Sequence, residues 1–289
     1  MNTGVLAAGL SSFFIIMGTV IASAVTKTIH PLVLIVLAYG VSMLFYLIFF
    51  LRGDLHVRKL LREFPLDTIK VIILRSVIGQ ILIVYGFSLT LAIRAVFMTR
   101  LEPLFVFMFS VLLIGERIRR RKVALLFVLI FGAFLISTGG DLSAFSSLML
   151  GDLLIAFSLI FLAYSYIPSS RIMKKINTQT LTAFSNFIAM LITIPIALLL
   201  LPISAFQVSL NSWVLIILYA LFFYFLGLML WFKAFEKAKP WVIASMLALA
   251  PIWGSLVSFF WLGQTLSLIQ LLGGAIIILT TLAIIREKQ

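Results

Sequence analysis

Long apolar runs broken by short polar segments dominate this chain. Ten can be laid down, at roughly 3–26, 31–51, 68–91, 93–115, 122–140, 150–170, 178–201, 212–235, 240–263 and 266–285. Each is close to the ~20 residues that one bilayer crossing needs. The pattern predicts an all-α integral membrane protein with ten transmembrane helices. The breaks carry turn chemistry: His30-Pro31, Arg52-Gly-Asp54, Gly139-Gly-Asp141 with a serine-rich stretch to Ser147, Asn177 before the seventh run, and Pro202 after it. No basic stretch precedes the first run, so it is expected to be a membrane span and not a cleaved signal.

Composition strengthens this reading. Hydrophobic residues make up 63% of the 289, with a mean hydropathy of +1.25; a soluble domain has about 45–50% apolar residues. The formal net charge of +13 would suggest nucleic acid on a soluble protein. Here the basic residues sit between apolar runs, where they set orientation and meet anionic lipid. No nucleic-acid partner is expected. With no cysteine, the chain is silent on redox compartment.

Lysine and arginine divide unevenly between the two sides. The breaks after spans two, four, six and eight, together with the tail, hold 18 of the 22. The other side holds only Lys27 and Arg94, while Arg75 and Arg100 lie inside spans. By the positive-inside rule both termini are cytoplasmic, in a multi-pass protein of the cell membrane. Within the first basic loop, Leu55–Phe64 can place Leu60, Leu61 and Phe64 on one helical face, opposite Arg58, Lys59 and Arg62. It reads either as a short interfacial helix or as a solvated loop.

Ionised groups inside spans are costly, about 2.5–3.5 kcal/mol each on insertion scales, and usually face a bundle interior or a wet cavity. The fourth span holds Arg100, Glu102 and Pro103. Glu102 lies about nine residues in, or roughly 14 Å deep at 1.5 Å per residue. It suits either a cation- or proton-binding site or a structural tie to a neighbouring helix. Arg100 is nearly opposite it on the helix, which makes Arg75 of the third span the better candidate for an ion pair. Arg100 suits an anionic substrate group, or can snorkel outward. Pro103 removes a backbone donor and should bend the helix. Glu116, within the basic Arg117–Lys122 cluster, is expected to pair or cap there, and Arg94 to anchor at the boundary.

A shift of 148 residues places Pro103 on Pro251, Gly115 on Gly263, Gly79 on Gly227, Phe87 on Phe235 and Ser110 on Ser258. The chain thus divides into five-helix repeats at 1–140 and 150–286. Five being odd, the second must insert inverted, and such repeats place a substrate site near the midplane between them. Pro251 is then the matched bend of Pro103. Ala248 and Ala250 stand where Arg100 and Glu102 would be, so any charged site comes from the first repeat. Tyr164, Tyr224 and Trp253 are candidates for an aromatic wall in the second. Gln80 is a candidate cavity residue, and Asn186 a helix-joining one. Trp213, Trp231, Trp241 and Trp261 lie near span ends and read as interface-belt residues.

Glu102-Pro103 followed by Gly115-Glu116, and Pro251 followed by Gly263, in a five-plus-five repeat, resemble the EamA-type branch of the drug/metabolite transporter superfamily. The resemblance covers essentially the whole chain, with Gln264 where that pattern has a second glutamate. It implies export or exchange of a small metabolite or drug, through a cavity among spans 1, 3, 4, 6, 8 and 9. The substrate-path candidates are therefore Gln80, Arg100, Glu102, Tyr164, Tyr224 and Trp253. The alternatives are a membrane-embedded enzyme and a non-transporting subunit. Against an enzyme, the sequence holds no His-Glu-x-x-His, no Gly-x-Ser-x-Gly and no Asp-rich span. His30 and His56 fall outside the spans, so no metal site is expected, and no cofactor. No Gly-x-x-x-x-Gly-Lys loop is present to bind ATP.

Overall fold

A computed structural model describes residues 3–50, 55–90, 92–115, 120–141, 143, 150–247, 249–250, 252–253 and 267–286. Helices and the turns that join them make up these residues, with no strand among them. The helices are α1 (Thr3–Val25), α2 (Pro31–Phe50), α3 (Val57–Glu63), α4 (Pro65–Ser88), α5 (Ala92–Thr99), α6 (Glu102–Ile114) and α7 (Arg120–Thr138). They continue with α8 (Leu150–Tyr164), α9 (Tyr166–Ile172), α10 (Thr178–Leu200), α11 (Leu210–Ala234), α12 (Pro240–Leu247) and α13 (Leu268–Arg286). Among the described residues, seven helical stretches are long and apolar enough to cross a bilayer, and Val123–Ile136 and Leu268–Ile284 are shorter apolar helices. Half of the expected ninth run lies outside the described residues, as do Pro251, Gly263, Gln264, Trp261 and Glu116. The molecule is a multi-pass membrane protein. Leu112, Leu199 and Leu279 belong to its apolar outer coat.

Local chemistry accounts for the helix ends. Asn177 caps α10 by accepting the Thr180 N–H at 2.9 Å, the usual satisfaction of a first-turn donor. Gly115 closes α6 at φ +71°, a left-handed position that favours glycine. Pro65 occupies the first turn of α4, where its missing N–H costs nothing.

The 148-residue repeat is visible in backbone detail. α4 is π-wound over Val71–Gly79 and α11 over Ala220–Gly227, so both segments end on the matched glycines. π-Winding displaces the usual i→i−4 partners. The Ser76 carbonyl accepts the Tyr39 hydroxyl at 2.5 Å, and its match, the Tyr224 carbonyl, accepts that of Tyr46 at 3.1 Å. A Cβ at Gly79 would meet the Leu74 carbonyl at 2.8 Å, and one at Gly227 the Phe222 carbonyl at 2.7 Å, again 148 residues apart.

The helix crossings repeat too, with the halves exchanged. α4 crosses α8 at Gly86 and Gly151, where a Cβ on Gly151 would lie 2.6 Å from the Gly86 carbonyl oxygen. α1 crosses α11 at Gly4, whose Cβ would lie 2.8 Å from the carbonyl of Ala234, the residue matched to Gly86. Lipid supplies no hydrophobic drive between helices, so small residues that admit close backbones carry such seams. Gly132 and Gly273 join α7 to α13 in the same manner.

The segment after the second span is a docked helix. Leu60 of α3 is fully buried, and Leu61 is exposed. The His56 N–H reaches Thr180 Oγ1 at 3.0 Å, and Lys59 Nζ donates to the Lys175 carbonyl at 3.2 Å. Glu63–Lys175 and Asp67–Arg171 are ion pairs at 3.6 Å each, between the first repeat and the second. Exposed pairs of this kind contribute about 0–1 kcal/mol, so they part readily.

At the opposite ends of α1 and α2, His30 lies edge-on to Tyr85, and its Nδ1 accepts the Leu32 N–H at 3.3 Å. Burial pushes its imidazole below the usual histidine value. The unfolded chain therefore takes up a proton here before the folded one does. Stability falls as pH drops through the ordinary histidine range toward the lower folded value. Replacing His30 by Gln should shrink the fall in melting temperature on acidification. An unchanged fall would show that other groups set the acid response.

Candidate functional site

The fourth span is interrupted where the proline falls. α5 stops at Thr99 and α6 starts at Glu102, with Pro103 in its first turn. Tighter bonds close the gap, from the Leu101 N–H to Met98 O and from the Leu104 N–H to Leu101 O, both 3.0 Å. The same pair recurs 148 residues on, as Leu249 to Met246 at 3.1 Å and Ile252 to Leu249 at 3.0 Å. Thus the α-helical bonding is interrupted beside Pro103. Pro251 itself lies outside the described residues.

Beside this break lies a cavity of about 590 Å³, its open mouth included. Its polar lining comes from Ser12 and Thr19 of α1, Arg75 and Gln80 of α4, and Thr99, Arg100 and Glu102 around the break. Its apolar lining includes Leu162 of α8, Phe223 of α11, Leu247 of α12 and Ala250. These positions belong to the first, third, fourth, sixth, eighth and ninth apolar runs, three from each repeat. Ala250, the match of Glu102, faces the same cavity with only a methyl group.

Each ionised group is placed by packing. Arg100 is 5% exposed. It donates through Nη1 to the Leu247 carbonyl and through Nη2 to Thr99 Oγ1 at 2.8 Å, so it ties the two repeats together instead of snorkelling. Arg75 is 7% exposed, and its guanidinium stacks on the Trp231 ring at 3.6 Å. Such a cation–π contact contributes ~2 kcal/mol or more when desolvated. Glu102 interacts electrostatically with both arginines and with the Tyr166 hydroxyl, and forms no direct ion pair among the described residues. The Tyr166 hydroxyl lies near the carboxylate and the Trp231 indole without closing a well-formed hydrogen bond to either. Arg75 Nη1 and Trp231 Nε1 are likewise buried without a hydrogen-bond partner.

The other candidates scatter. Gln80 lines the cavity and donates to the Tyr219 hydroxyl at 3.1 Å. Tyr224 is fully buried among Tyr39 and Tyr219, outside the cavity lining. Tyr164 packs edge-on to Phe109 and is also outside the lining. Trp253 donates to Ser12 Oγ at 2.9 Å, one step behind the cavity wall. Asn186 joins α10 to α11 through the Tyr224 carbonyl at 3.3 Å. The side chain of Arg94 is outside the described set.

Two residues of this cluster differ from the sequence reading. Trp231 is no belt residue: it is fully buried, because this face of α11 turns inward toward Tyr166 and Arg75. Trp241 is buried as well. Tyr166 was not singled out from sequence, yet the chain marks it. Pro168 lies two residues on, and the helix breaks at Ser165, between α8 and α9. A proline near the end of the sixth span was the signal to follow.

The family description EamA-like transporter family matches residues 2–138 and again 149–286. A solved structure described as "Crystal structure of protein" superposes over 100% of both chains with a TM-score of 0.77, at 17% identity. That likeness bears on the fold alone. No curated protein matches. With nearly all of its length covered by two successive matches to one family, this membrane protein belongs to the EamA-like transporter family, within the drug/metabolite transporter superfamily.

Proposed function

We propose that this chain is a secondary transporter carrying a small metabolite or drug-like solute across the cell membrane, in export or exchange, by alternating access. In this reading ten spans form two inverted five-helix units, 1–140 and 150–286, with both termini cytoplasmic. The observation that carries it is the cavity: three spans from each repeat surround one space that holds Arg75, Arg100 and Glu102. Ionised groups at depth around a wet space mark a solute or ion path. The broken fourth span, the matching break before Pro251 and the weak Glu63–Lys175 and Asp67–Arg171 pairs suit a rocking motion of one unit against the other. Glu102 is the candidate coupling group, and Gln80 lines the path beside it.

The test is flux in liposomes containing only the purified chain, screened over a broad panel of solutes. Movement without covalent change supports the carrier. Conversion of a solute would favour a membrane enzyme. Absence of flux for every solute, with a partner retained through purification, would favour a non-transporting subunit. If Glu102 carries the coupling proton, Glu102→Gln should flatten the pH profile of transport. A mutant with normal flux and an unaltered pH profile would leave Glu102 a structural role only.

A further inference from the structure

Among the described residues, two guanidinium groups and one carboxylate line the cavity, a net charge of +1 when Glu102 is ionised. Such an excess repels a cation and attracts an anion. The guanidiniums differ in availability. Arg100 already donates to the Leu247 carbonyl and to Thr99. Arg75 lies over the Trp231 ring and lines the cavity, and its Nη1 is buried without a hydrogen-bond partner. A buried donor without an acceptor is costly. The planar fork of arginine matches the two oxygens of a carboxylate. Beyond the uncharged polar groups of Ser12, Thr19, Gln80 and Thr99, the wall is aliphatic and aromatic, with Ile83, Phe87, Leu162 and Phe223. It suits an apolar body behind the charged head.

Glu102 competes with such a guest for the field of the two arginines. When Glu102 is ionised, part of that field is already neutralised. When it is protonated, the full charge of Arg75 and Arg100 is available. The surroundings contain few other titratable groups. Arg75 faces Glu102 from α4, Arg100 from its own span, and Tyr166 from α9. Among the helices packed on α6, α8 contributes Tyr164, which sits on Phe109, and Asp152, which accepts from Thr90. α9 also carries Arg171, which is paired with Asp67. α12, also packed on α6, and α1, which lines the cavity, hold no ionisable side chain.

We propose that the cavity binds the carboxylate of a small apolar monoanion at Arg75, and that a proton on Glu102 strengthens this binding, so that anion and proton cross together. This rests on the transporter reading and adds to it the sign of the substrate's charge and the sense of the coupling. The two ligands act synergistically, as in a cotransporter; a proton–cation exchanger would show competition.

The test is equilibrium binding to the full purified chain in detergent, with benzoate, benzamide and benzylamine as matched anionic, neutral and cationic probes. Benzoate alone should bind. Its affinity should rise at least about fivefold between about pH 8 and about pH 6, the lower end of ordinary allosteric coupling. Glu102→Gln, which mimics the protonated acid, should bind benzoate at the acid-level affinity with no pH dependence. Arg75→Gln should lose binding, and Arg75→Lys, which keeps the charge but not the fork, should retain weakened binding. The wild-type pH series needs no variant to fold. Preference for benzylamine, benzoate affinity that is flat or weaker in acid, or no benzoate binding at millimolar concentration would each overturn the proposal. Flux of some solute combined with any of these results would leave the transporter reading standing. Benzoate binding with the expected pH response, but no flux of any solute, would reject transport and keep the anion site.

Discussion

Replacing Arg75 by Gln should reduce solute flux at least about a hundredfold, if this residue both holds the guest and helps to order the cavity. A transport step that loses a two-pronged charged contact in a desolvated site forfeits about 3 kcal/mol or more, and 1.4 kcal/mol is already tenfold. The substitution also removes the stack on Trp231 and, among the described residues, leaves Glu102 with Arg100 as its nearby cation. Thermal melting of Arg75→Gln, Glu102→Gln and the double variant separates the two losses. The carboxylate and the guanidinium interact across the cavity, so the three changes should be non-additive by about 0.5–3 kcal/mol. Simple additivity would mean that the two charges do not sense each other. Flux near the wild-type level in Arg75→Gln would remove Arg75 from the path altogether.

The second large effect is structural. Gly151→Leu should destabilise the chain by about 1–3 kcal/mol or more, the usual range for overpacking. A Cβ at this position lies 2.6 Å from both the Gly86 carbonyl oxygen and the Leu89 carbonyl carbon. Both obstacles are backbone, so α4 and α8 must separate. Gly86→Ala should be milder, because it adds one methyl group, whose backbone obstacle, the Gly151 carbonyl oxygen, lies at 3.0 Å, although Ile155 Cγ1 at 2.5 Å must also give way. Gly9 has nothing within 4 Å of its Cβ position. Gly9→Ala should therefore be neutral or stabilising, by up to about 1 kcal/mol of helix propensity. Melting temperature and monodispersity in detergent rank the three variants. The reverse order would show that the α4–α8 seam is looser than its geometry.

How much of this was legible beforehand varies residue by residue. Pro103 announced a distortion in its span, and the chain breaks there. Gly79 and Gly227 marked the repeat, and both close π-wound segments. Arg75, Gln80, Arg100 and Glu102 could be read as inward-facing because lipid will not accept them cheaply, and all four line one cavity. Aromatic residues gave no such guidance. Tyr and Trp tolerate lipid, interface and core alike, so position along a span did not say which way Trp231, Tyr164 or Tyr224 turns.

Apolar length, charged positions and the 148-residue echo therefore carry the membrane class, the repeat and the list of costly groups, since each depends on a one-dimensional cost of burying residues in lipid. Azimuth and partnership belong to the packed molecule. That Arg75 rests on Trp231 and Arg100 is tied to the Leu247 carbonyl follows from which helix faces meet. Those meetings are set by close backbone crossings at Gly86, Gly151 and Gly4, between segments far apart in the chain.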